Sequence, residues 1–171
     1  LIERAGRIGA IEIDRDLAAR LQQRFPPERL ALHVADALQF DFATLGPALR
    51  VVGNLPYNIS SPLLFHLAQF ETQLRDVHVM LQREVVARMT ALPATPDYGR
   101  LSVMLQYRFR MESVLTVPAV AFRPIPRVES AVVRLVPIAD QPDWDQAVLE
   151  KIVRESFSAR RKTLRNALPL E

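Results

Sequence analysis

The stretch that decides the fold is residues 53–64, GNLPYNISSPLL, which follows the strand-like run LRVV at residues 49–52. The run is short and mostly apolar, as buried strands are. It leads into a turn that carries the amide of Asn54, the fixed ring of Pro56 and the phenol of Tyr57. Because ligands of open α/β sheets bind beyond the carboxyl ends of the strands, this turn is a candidate binding site.

The order of elements around this turn predicts the fold class. Ser60 or Ser61 is predicted to cap the next helix, with Pro62 in its first turn, and Asp14 to cap an earlier helix. The predicted strands cover residues 8–13, 30–34, 49–52, 77–81, 114–117 and 130–136, and the predicted helices cover residues 1–6, 15–25, 60–70, 83–89, 98–110 and 143–157. Strands that alternate with helices indicate an α/β protein with a mostly parallel sheet covered on both faces.

Chain length and composition set the domain organisation. A chain of 171 residues with 49% hydrophobic content can bury one main core, with a small appendage. A proline-bracketed link at residues 137–142 precedes the last amphipathic helix. We therefore expect a first domain at residues 1–138 and the start of a small helical domain at residues 139–171.

Composition also excludes several classes of site. The chain has no cysteine, which excludes disulfides, thiolate nucleophiles and cysteine-ligated zinc, and which suits a cytoplasmic protein. His33, His66 and His78 are scattered, with no carboxylate partner at metal-ligand spacing, so no metal site is expected. No stretch approaches the roughly 18 apolar residues of a membrane span, so we expect a soluble protein.

Basic residues are concentrated near the end of the sequence. Residues 151–165 contain six basic side chains and a single acidic one, although the net charge of the whole chain is only +3. Such a cluster is either the solvated face of a helix or a surface that attracts anions. Composition alone leaves both interpretations open.

Two acids also follow predicted strands. Glu12 lies in the run AIEID, and Asp36 ends HVAD. A carboxylate in the first position can accept hydrogen bonds from both hydroxyls of a ribose, and one after the next strand can accept a hydrogen bond from an adenine amino group. The alternative is that each acid caps the segment that follows it, although Asp14 already serves as the cap beyond Glu12.

The residues Asn54, Leu55, Pro56 and Tyr57 suit chemistry on an exocyclic amine of a base. Such an amine is a poor nucleophile because its lone pair is delocalised into the ring. The Asn54 side chain and a backbone carbonyl of Leu55 or Pro56 would accept hydrogen bonds from its two N–H groups, held in place by the proline. Tyr57 offers a face for stacking. The alternative is an ordinary strand-to-helix turn, which requires neither the amide nor the aromatic ring.

The sequence resembles the KsgA family of S-adenosylmethionine-dependent adenine dimethyltransferases of small-subunit ribosomal RNA. The resemblance covers nearly the whole chain, and the segments that carry it are GNLPYNISSPLLFHL, AIEID, DAL, MLQREVVARM, YGRLSVMLQY, AFRPIPRVESAVVRL and ESFSARRKTLRN. It implies a Rossmann-like class I methyltransferase domain, here incomplete, followed by the start of a helical RNA-binding domain.

The resemblance also implies roles for individual residues. Asn54 would hold the target N6, with Leu55 and Pro56 beside it, while Tyr57 and Phe122 would contact the target adenine. The implied donor-binding residues are Glu12, for the ribose, Asp36 with Ala37, for the adenine of S-adenosylmethionine, and Asn54. The implied contacts to RNA phosphates are Arg160, Arg161, Lys162 and Arg165.

One departure from the family pattern is a missing segment. The family carries a first strand and a glycine-rich GxGxG loop that binds the methionine end of the donor, and Gly6 and Gly9 do not replace it because they precede a strand. The sequence is therefore expected to be an internal part of a longer protein, with poor folding or weak donor binding when isolated.

The resemblance implies a function, with two alternatives. It implies dimethylation of adenine N6 in small-subunit (16S) ribosomal RNA during maturation of the 30S subunit, by a cytoplasmic monomer. The first alternative is a noncatalytic RNA-binding assembly factor. The second is a related adenine methyltransferase that acts on large-subunit RNA or on DNA.

Overall fold

The computed structural model describes residues 1–139, 145–158 and 163–168, which form an α/β protein. The chain divides into two compact units, Leu1–Thr44 and Leu45–Glu171. Each unit has its own sheet, so the sheet expected from the sequence is present only in part.

The first unit is built on two parallel strands. Its elements are α1 (Ile2–Ala5), β1 (Ile8–Glu12), α2 (Arg15–Arg24) and β2 (Leu30–Val34), and a 3₁₀ turn at Phe42–Leu45 lies at its end. Strands β1 and β2 pair in parallel, with Ile8 opposite Leu30 and Glu12 opposite Val34. Asp14 caps α2 as predicted, since its carboxylate accepts hydrogen bonds from the backbone N–H groups of Asp16 and Leu17.

The second unit is built on a four-stranded sheet in the order β3-β4-β6-β5. Its elements are β3 (Leu49–Asn54), α3 (Ser60–Ala68), β4 (Leu74–Gln82), α4 (Arg83–Thr90), α5 (Arg100–Gln106), β5 (Phe109–Val117), β6 (Ser130–Pro137), α6 (Gln146–Ser156) and α7 (Leu164–Ala167). Strand β3 pairs with β4 in parallel, whereas β6 is antiparallel to both β4 and β5.

The core of the second unit lies against the two central strands, β4 and β6. Alternate residues of both strands are buried, as the period of a strand requires, with Val79 and Val133 fully inaccessible to solvent. Helices α4 and α5 pack on this sheet and bury Met89 and Leu105 against it. The two central strands therefore hold the best buried part of the unit. Strand β3 ends at the candidate turn, and β6 begins at Ser130, after a loop.

The predicted α/β class is confirmed, but the expectation of a mostly parallel sheet was wrong. Of the four strand pairings in the described residues, two are parallel and two are antiparallel. A parallel crossover usually needs a helix between the strands, and the connection between β5 and β6 holds only a 3₁₀ turn at Ala119–Ala121. These two strands therefore pair as antiparallel neighbours.

Two predicted helix boundaries were also wrong. The helix expected at residues 98–110 is confined to α5, because Phe109 already begins β5 and is buried. Ile59, rather than a serine, occupies the N-cap position of α3 and makes no side-chain capping bond. Ser60 lies inside the first turn, where its hydroxyl donates to the Tyr57 carbonyl.

The domain boundary predicted after residue 138 stays a prediction. The structure divides the chain after residue 44 instead, and residues 140–144 lie outside the described residues. Within residues 1–139, 145–158 and 163–168, no helix is long and apolar enough to cross a membrane.

Candidate functional site

An open pocket of about 300 Å³ lies beside the turn that follows β3. Two segments form it, one from the end of β3 and one from the loop before β6. The lining residues are Asn54, Leu55, Pro56, Tyr57, Phe122, Arg123, Pro124 and Pro126. All five residues predicted at the target base, Asn54 to Tyr57 and Phe122, therefore lie around one cavity.

Gly53 and Leu55 give the start of the turn its shape. A Cβ atom on Gly53 would lie 2.9 Å from Cδ2 of Leu55, so glycine leaves the space that the leucine side chain fills. The backbone N–H of Leu55 donates to the carbonyl of Met80 on the neighbouring strand, at 3.3 Å. The turn therefore leaves β3 anchored to β4, and the adjacent Asn54 remains exposed to solvent.

Two acceptors of the turn differ in their availability. The Pro56 carbonyl accepts a hydrogen bond from the backbone N–H of Ile59 at 3.1 Å. No described residue donates to the Leu55 carbonyl or binds the Asn54 side chain. The sequence left Leu55 and Pro56 as equal candidates for the second acceptor, and this geometry favours Leu55, since its carbonyl has both lone pairs free.

Tyr57 makes hydrogen bonds through its hydroxyl and through its backbone carbonyl, while part of the residue stays exposed. Its hydroxyl lies 3.0 Å from Oγ of Ser130, and its carbonyl accepts a hydrogen bond from Oγ of Ser60 at 2.9 Å. Both serines are buried, whereas 39% of Tyr57 is accessible to solvent. Phe122, half-buried, supplies a second ring to the pocket from the 3₁₀ turn at Ala119–Ala121.

Sequence reasoning missed Arg123 and Ser130. Arg123 lines the pocket, is exposed, and makes no ion pair with any carboxylate in the part of the chain that the structure describes. It brings positive charge to the pocket that Tyr57 and Phe122 also line. The signal was the arginine-proline pattern of FRPIPR, which begins with the predicted Phe122. Ser130 carried no local signal because its partner, Tyr57, lies 73 positions earlier.

The first unit contains the predicted donor-binding acids at the carboxyl ends of its two strands. Oε1 of Glu12 accepts a hydrogen bond from the Asp14 N–H, and Oδ1 of Asp36 accepts one from the Leu38 N–H, both at 2.9 Å. Each carboxylate uses one oxygen in this way, so the alternative of local capping is realised in part. The second oxygen of each half-buried acid has no partner among the described residues and can accept hydrogen bonds from a ligand. Ala37, adjacent to Asp36, is also half-buried.

The predicted RNA-binding cluster is described only in part. Arg165 lies exposed on the short helix α7. Arg160, Arg161 and Lys162 lie outside the described residues, so their role in RNA binding stays a prediction.

A buried acid lies elsewhere on the sheet of the second unit. Asp76 is 2% exposed and pairs with Arg50 through two hydrogen bonds of 2.7 Å, while Nδ1 of His78 lies 3.4 Å away. His78 thus has a carboxylate neighbour that the sequence analysis did not anticipate. The hydrogen bonds from Arg50 hold the pKa of the Asp76 carboxyl below its usual range, against the effect of burial. Across the described segments, no group of three or more His, Cys, Asp or Glu could hold a metal ion.

Comparison with known proteins identifies the family. Residues 1–170 match the family model described as "Ribosomal RNA adenine dimethylase". Two curated relatives named ribosomal RNA small subunit methyltransferase A, from Aromatoleum aromaticum and Thiobacillus denitrificans, are 62% and 60% identical to this chain over 98% of its length. The chain spans 64% of the first relative and 67% of the second.

Solved structures agree with this assignment. A dimethyladenosine transferase from Plasmodium falciparum is 28% identical, with a TM-score of 0.83 over 95% of this chain and 59% of its own. The 23S rRNA methyltransferase ErmE is also 28% identical, with a TM-score of 0.74 over 98% of this chain and 68% of its own. The fold, the pocket and the matched sequence together place this chain in the ribosomal RNA adenine dimethylase family.

Proposed function

We propose that the protein transfers methyl groups from S-adenosylmethionine to N6 of adenine in small-subunit (16S) ribosomal RNA, as far as dimethyladenosine. The observation that carries this proposal is the pocket itself, where two aromatic rings lie with an amide and a backbone carbonyl that no described residue binds. The substrate is then the RNA of the assembling 30S subunit, and the protein acts as a cytoplasmic monomer.

The two acceptors prepare the amine for attack. Oδ1 of Asn54 and the carbonyl of Leu55 would accept hydrogen bonds from the two N–H groups of adenine N6. Acceptors outside the plane of the base favour a pyramidal nitrogen, whose lone pair is no longer delocalised into the ring. Because the turn fixes both oxygens before the substrate binds, no reorganisation is needed during the reaction. The nitrogen becomes cationic when it is methylated and then loses its proton readily, so the main task of the site is alignment.

The aromatic rings hold the base. Tyr57 and Phe122 line the same pocket and would stack on the adenine, with a contribution of about 1 to 3 kcal/mol for each stacked base. A base reaches such a pocket only when it is unpaired or flipped out of a helix. The site therefore requires an RNA target whose adenines are accessible.

The acids of the first unit would hold the methyl donor. Glu12 would accept hydrogen bonds from the ribose hydroxyls, and Asp36, beside Ala37, one from the donor adenine. Each acid has one carboxylate oxygen with no partner among the described residues, which fits this use. When bound, S-adenosylmethionine supplies a methyl group on a positively charged sulfur.

Basic side chains would bind the RNA backbone. We assign this role to Arg160, Arg161, Lys162 and Arg165, in keeping with the basic composition of residues 151–165. Contacts of this kind depend on salt and carry little sequence information. Selection of the target then comes from RNA shape and from the pocket.

The test is transfer of labelled methyl groups to unmodified 30S subunits, followed by digestion to nucleosides and mass analysis. The chain is assayed beside a form extended to the length of the curated relatives, and 50S subunits and DNA serve as competing substrates. Dimethyladenosine in the 16S RNA is the expected product. Product only in 23S RNA or in DNA contradicts the choice of substrate, and RNA binding without any product indicates a noncatalytic assembly factor.

Asn54→Ala is the decisive variant within this assay. Removing a preorganised acceptor of this kind is expected to lower kcat about 100- to 1,000-fold. RNA affinity is expected to stay within about twofold, because the phosphate contacts that dominate affinity are unchanged. Asn58→Ala is the matched control, since Asn58 lies in the same turn but does not line the pocket. An Asn54→Ala enzyme of normal kcat would contradict the role of the amide.

A further inference from the structure

We propose that Ser130 is a positioning residue that fixes the ring of Tyr57 for the target base. This inference rests on the proposed methyl transfer and extends it to a residue that does not line the pocket. The hydroxyls of Ser130 and Tyr57 lie 3.0 Å apart, at the distance of a hydrogen bond between two hydroxyls.

Ser130 is a rigid anchor. It is the first residue of β6 and pairs with Gln82 of β4 on one side and with Val117 of β5 on the other. Only 1% of the residue is exposed. A buried side chain on a strand that is paired on both sides has little freedom to move, so the Tyr57 hydroxyl is tied to a fixed point of the sheet.

The second hold on Tyr57 comes from a different element. Ser60, in the first turn of α3 and 3% exposed, donates to the Tyr57 carbonyl. The buried polar residues of the described chain are Ser60, Asp76, Ser102 and Ser130, so two of these four bind the same tyrosine. Placing a hydroxyl in a core is unfavourable unless it finds a partner, and Ser130 finds its partner in the pocket.

The geometry explains why the ring carries a hydroxyl. A phenylalanine would stack on a base equally well, but it would be fixed only through its backbone. In Tyr57 the backbone is held by Ser60 and the far end of the ring by Ser130. The direction of the ring axis is therefore set before the base arrives, which lowers the entropy lost when the reacting complex forms.

The experiment is a double-mutant cycle on kcat with Ser130→Ala, Tyr57→Phe and the combined variant, in the extended form of the protein. Each single variant removes the same hydrogen bond, so kcat is expected to fall about 3- to 10-fold in each, with no further loss in the double variant. The KM for RNA is expected to change less than about twofold, since phosphate contacts dominate affinity. Losses that multiply in the double variant, or that appear only in KM, overturn the proposal.

Ser102→Ala is the matched control for a purely structural effect. Ser102 is equally buried and donates its hydroxyl to the Arg88 carbonyl, away from the pocket. We expect this variant to lower the melting temperature without changing kcat. If Ser102→Ala lowers kcat as much as Ser130→Ala does at the same loss of stability, the positioning role is overturned. Ser130→Thr, which retains the hydroxyl, is expected to restore kcat.

Ring dynamics provide a readout that does not depend on catalysis. The chain has three tyrosines, so NMR with labelled tyrosine can resolve the ring of Tyr57 from those of Tyr98 and Tyr107. Ser130→Ala is expected to increase motion of the Tyr57 ring alone, and an unchanged ring overturns the proposal. If the wild-type protein transfers no methyl group while Ser130→Ala still loosens the ring, the proposed function fails and the positioning of Tyr57 stands.

Discussion

Gly53 controls where the Leu55 side chain lies, and through it one wall of the pocket. A Cβ atom at position 53 would approach Cδ2 of Leu55 to 2.9 Å, whereas Val79 would remain at an ordinary 3.8 Å. Because the obstructing atom is the end of a flexible side chain, Leu55 can rotate away, and this rotation changes the pocket that it lines.

We therefore expect Gly53→Ala to lower the free energy of unfolding by only about 1 kcal/mol. Methyl transfer should fall further than this loss of stability explains, because the displaced leucine intrudes on the base. Thermal unfolding and kcat, measured on the same preparation, check both parts. Gly9→Ala is the control, since the nearest atom to its new Cβ would be 3.9 Å away. Equal kcat in both variants would refute the link between Gly53 and the pocket.

Residues of the pocket could be predicted from the sequence where their functional groups lie close together along the chain. Asn54, Pro56 and Tyr57 stand within four positions, and their functional groups suggest an amine site without any knowledge of tertiary structure. Ser130 could not be found in this way, since a serine at a strand end has many uses and its contact with Tyr57 exists only after folding. Arg123 was within reach, because it is adjacent to a residue that was already selected.

At the scale of elements, the pairing of Asp76 with Arg50 joins β4 to β3. The two hydrogen bonds from Arg50 lower the pKa of the Asp76 carboxyl, and the electrostatic effects of Arg50, His78 and Arg134 act in the same direction. A carboxyl whose pKa is lower in the folded state stabilises the fold above its unfolded pKa of about 3.9. That stabilisation disappears as the pH falls through the lower, folded pKa.

We expect the free energies of unfolding of the wild type and of Asp76→Asn to differ by an amount that depends on pH. The variant should be the less stable protein above about pH 5, and the difference should shrink steadily below about pH 4 as the wild-type carboxyl becomes protonated. Urea unfolding midpoints, measured between pH 2.5 and 7 by about half-unit steps, check this prediction. Glu84→Gln is the control, because its carboxylate pairs with Arg88 on the exposed surface of α4. A constant difference across the range would exclude a contribution from ionised Asp76.

Elements with a strong local pattern were predicted well, and those that depend on their neighbours were not. The strand β2 was predicted with the bounds that the structure shows, and α2 was predicted from the cap at Asp14. The direction of β5 and β6 depends on how the chain returns through residues 118–129, which the residue pattern of each strand does not encode. Likewise, serine is a residue type that favours N-cap positions, but Ser60 lies inside the first turn of α3 and donates its hydroxyl to the Tyr57 carbonyl.

At the scale of the whole molecule, the two units differ in how completely their apolar side chains are buried. The first unit has a sheet of only two strands, with Ile13, Leu17 and Val34 at least 45% exposed. Isolated two-stranded sheets are marginally stable in water. In the second unit, Val79 and Val133 have no exposed surface.

Native-state hydrogen exchange should separate the units. Backbone amides of β4 and β6 are expected to be the most protected in the chain, and those of β1 and β2 to exchange roughly tenfold faster or more. Adding S-adenosylmethionine should slow exchange near Glu12 and Asp36 if these acids bind the donor. Equal protection of both units would show that the first unit is stabilised by more than its own sheet.

The pocket is formed by segments that are distant in the sequence, since residues 54–57 meet residues 122–126 and Tyr57 is tied to Ser130. During synthesis, the turn that carries Asn54 is made long before the strand that orders Tyr57. A growing chain that ends before residue 130 therefore has the amide and the ring but lacks the anchor between them. The pocket is therefore completed in step with the antiparallel half of the sheet, and Tyr57 gains its anchor only when the second unit is nearly complete.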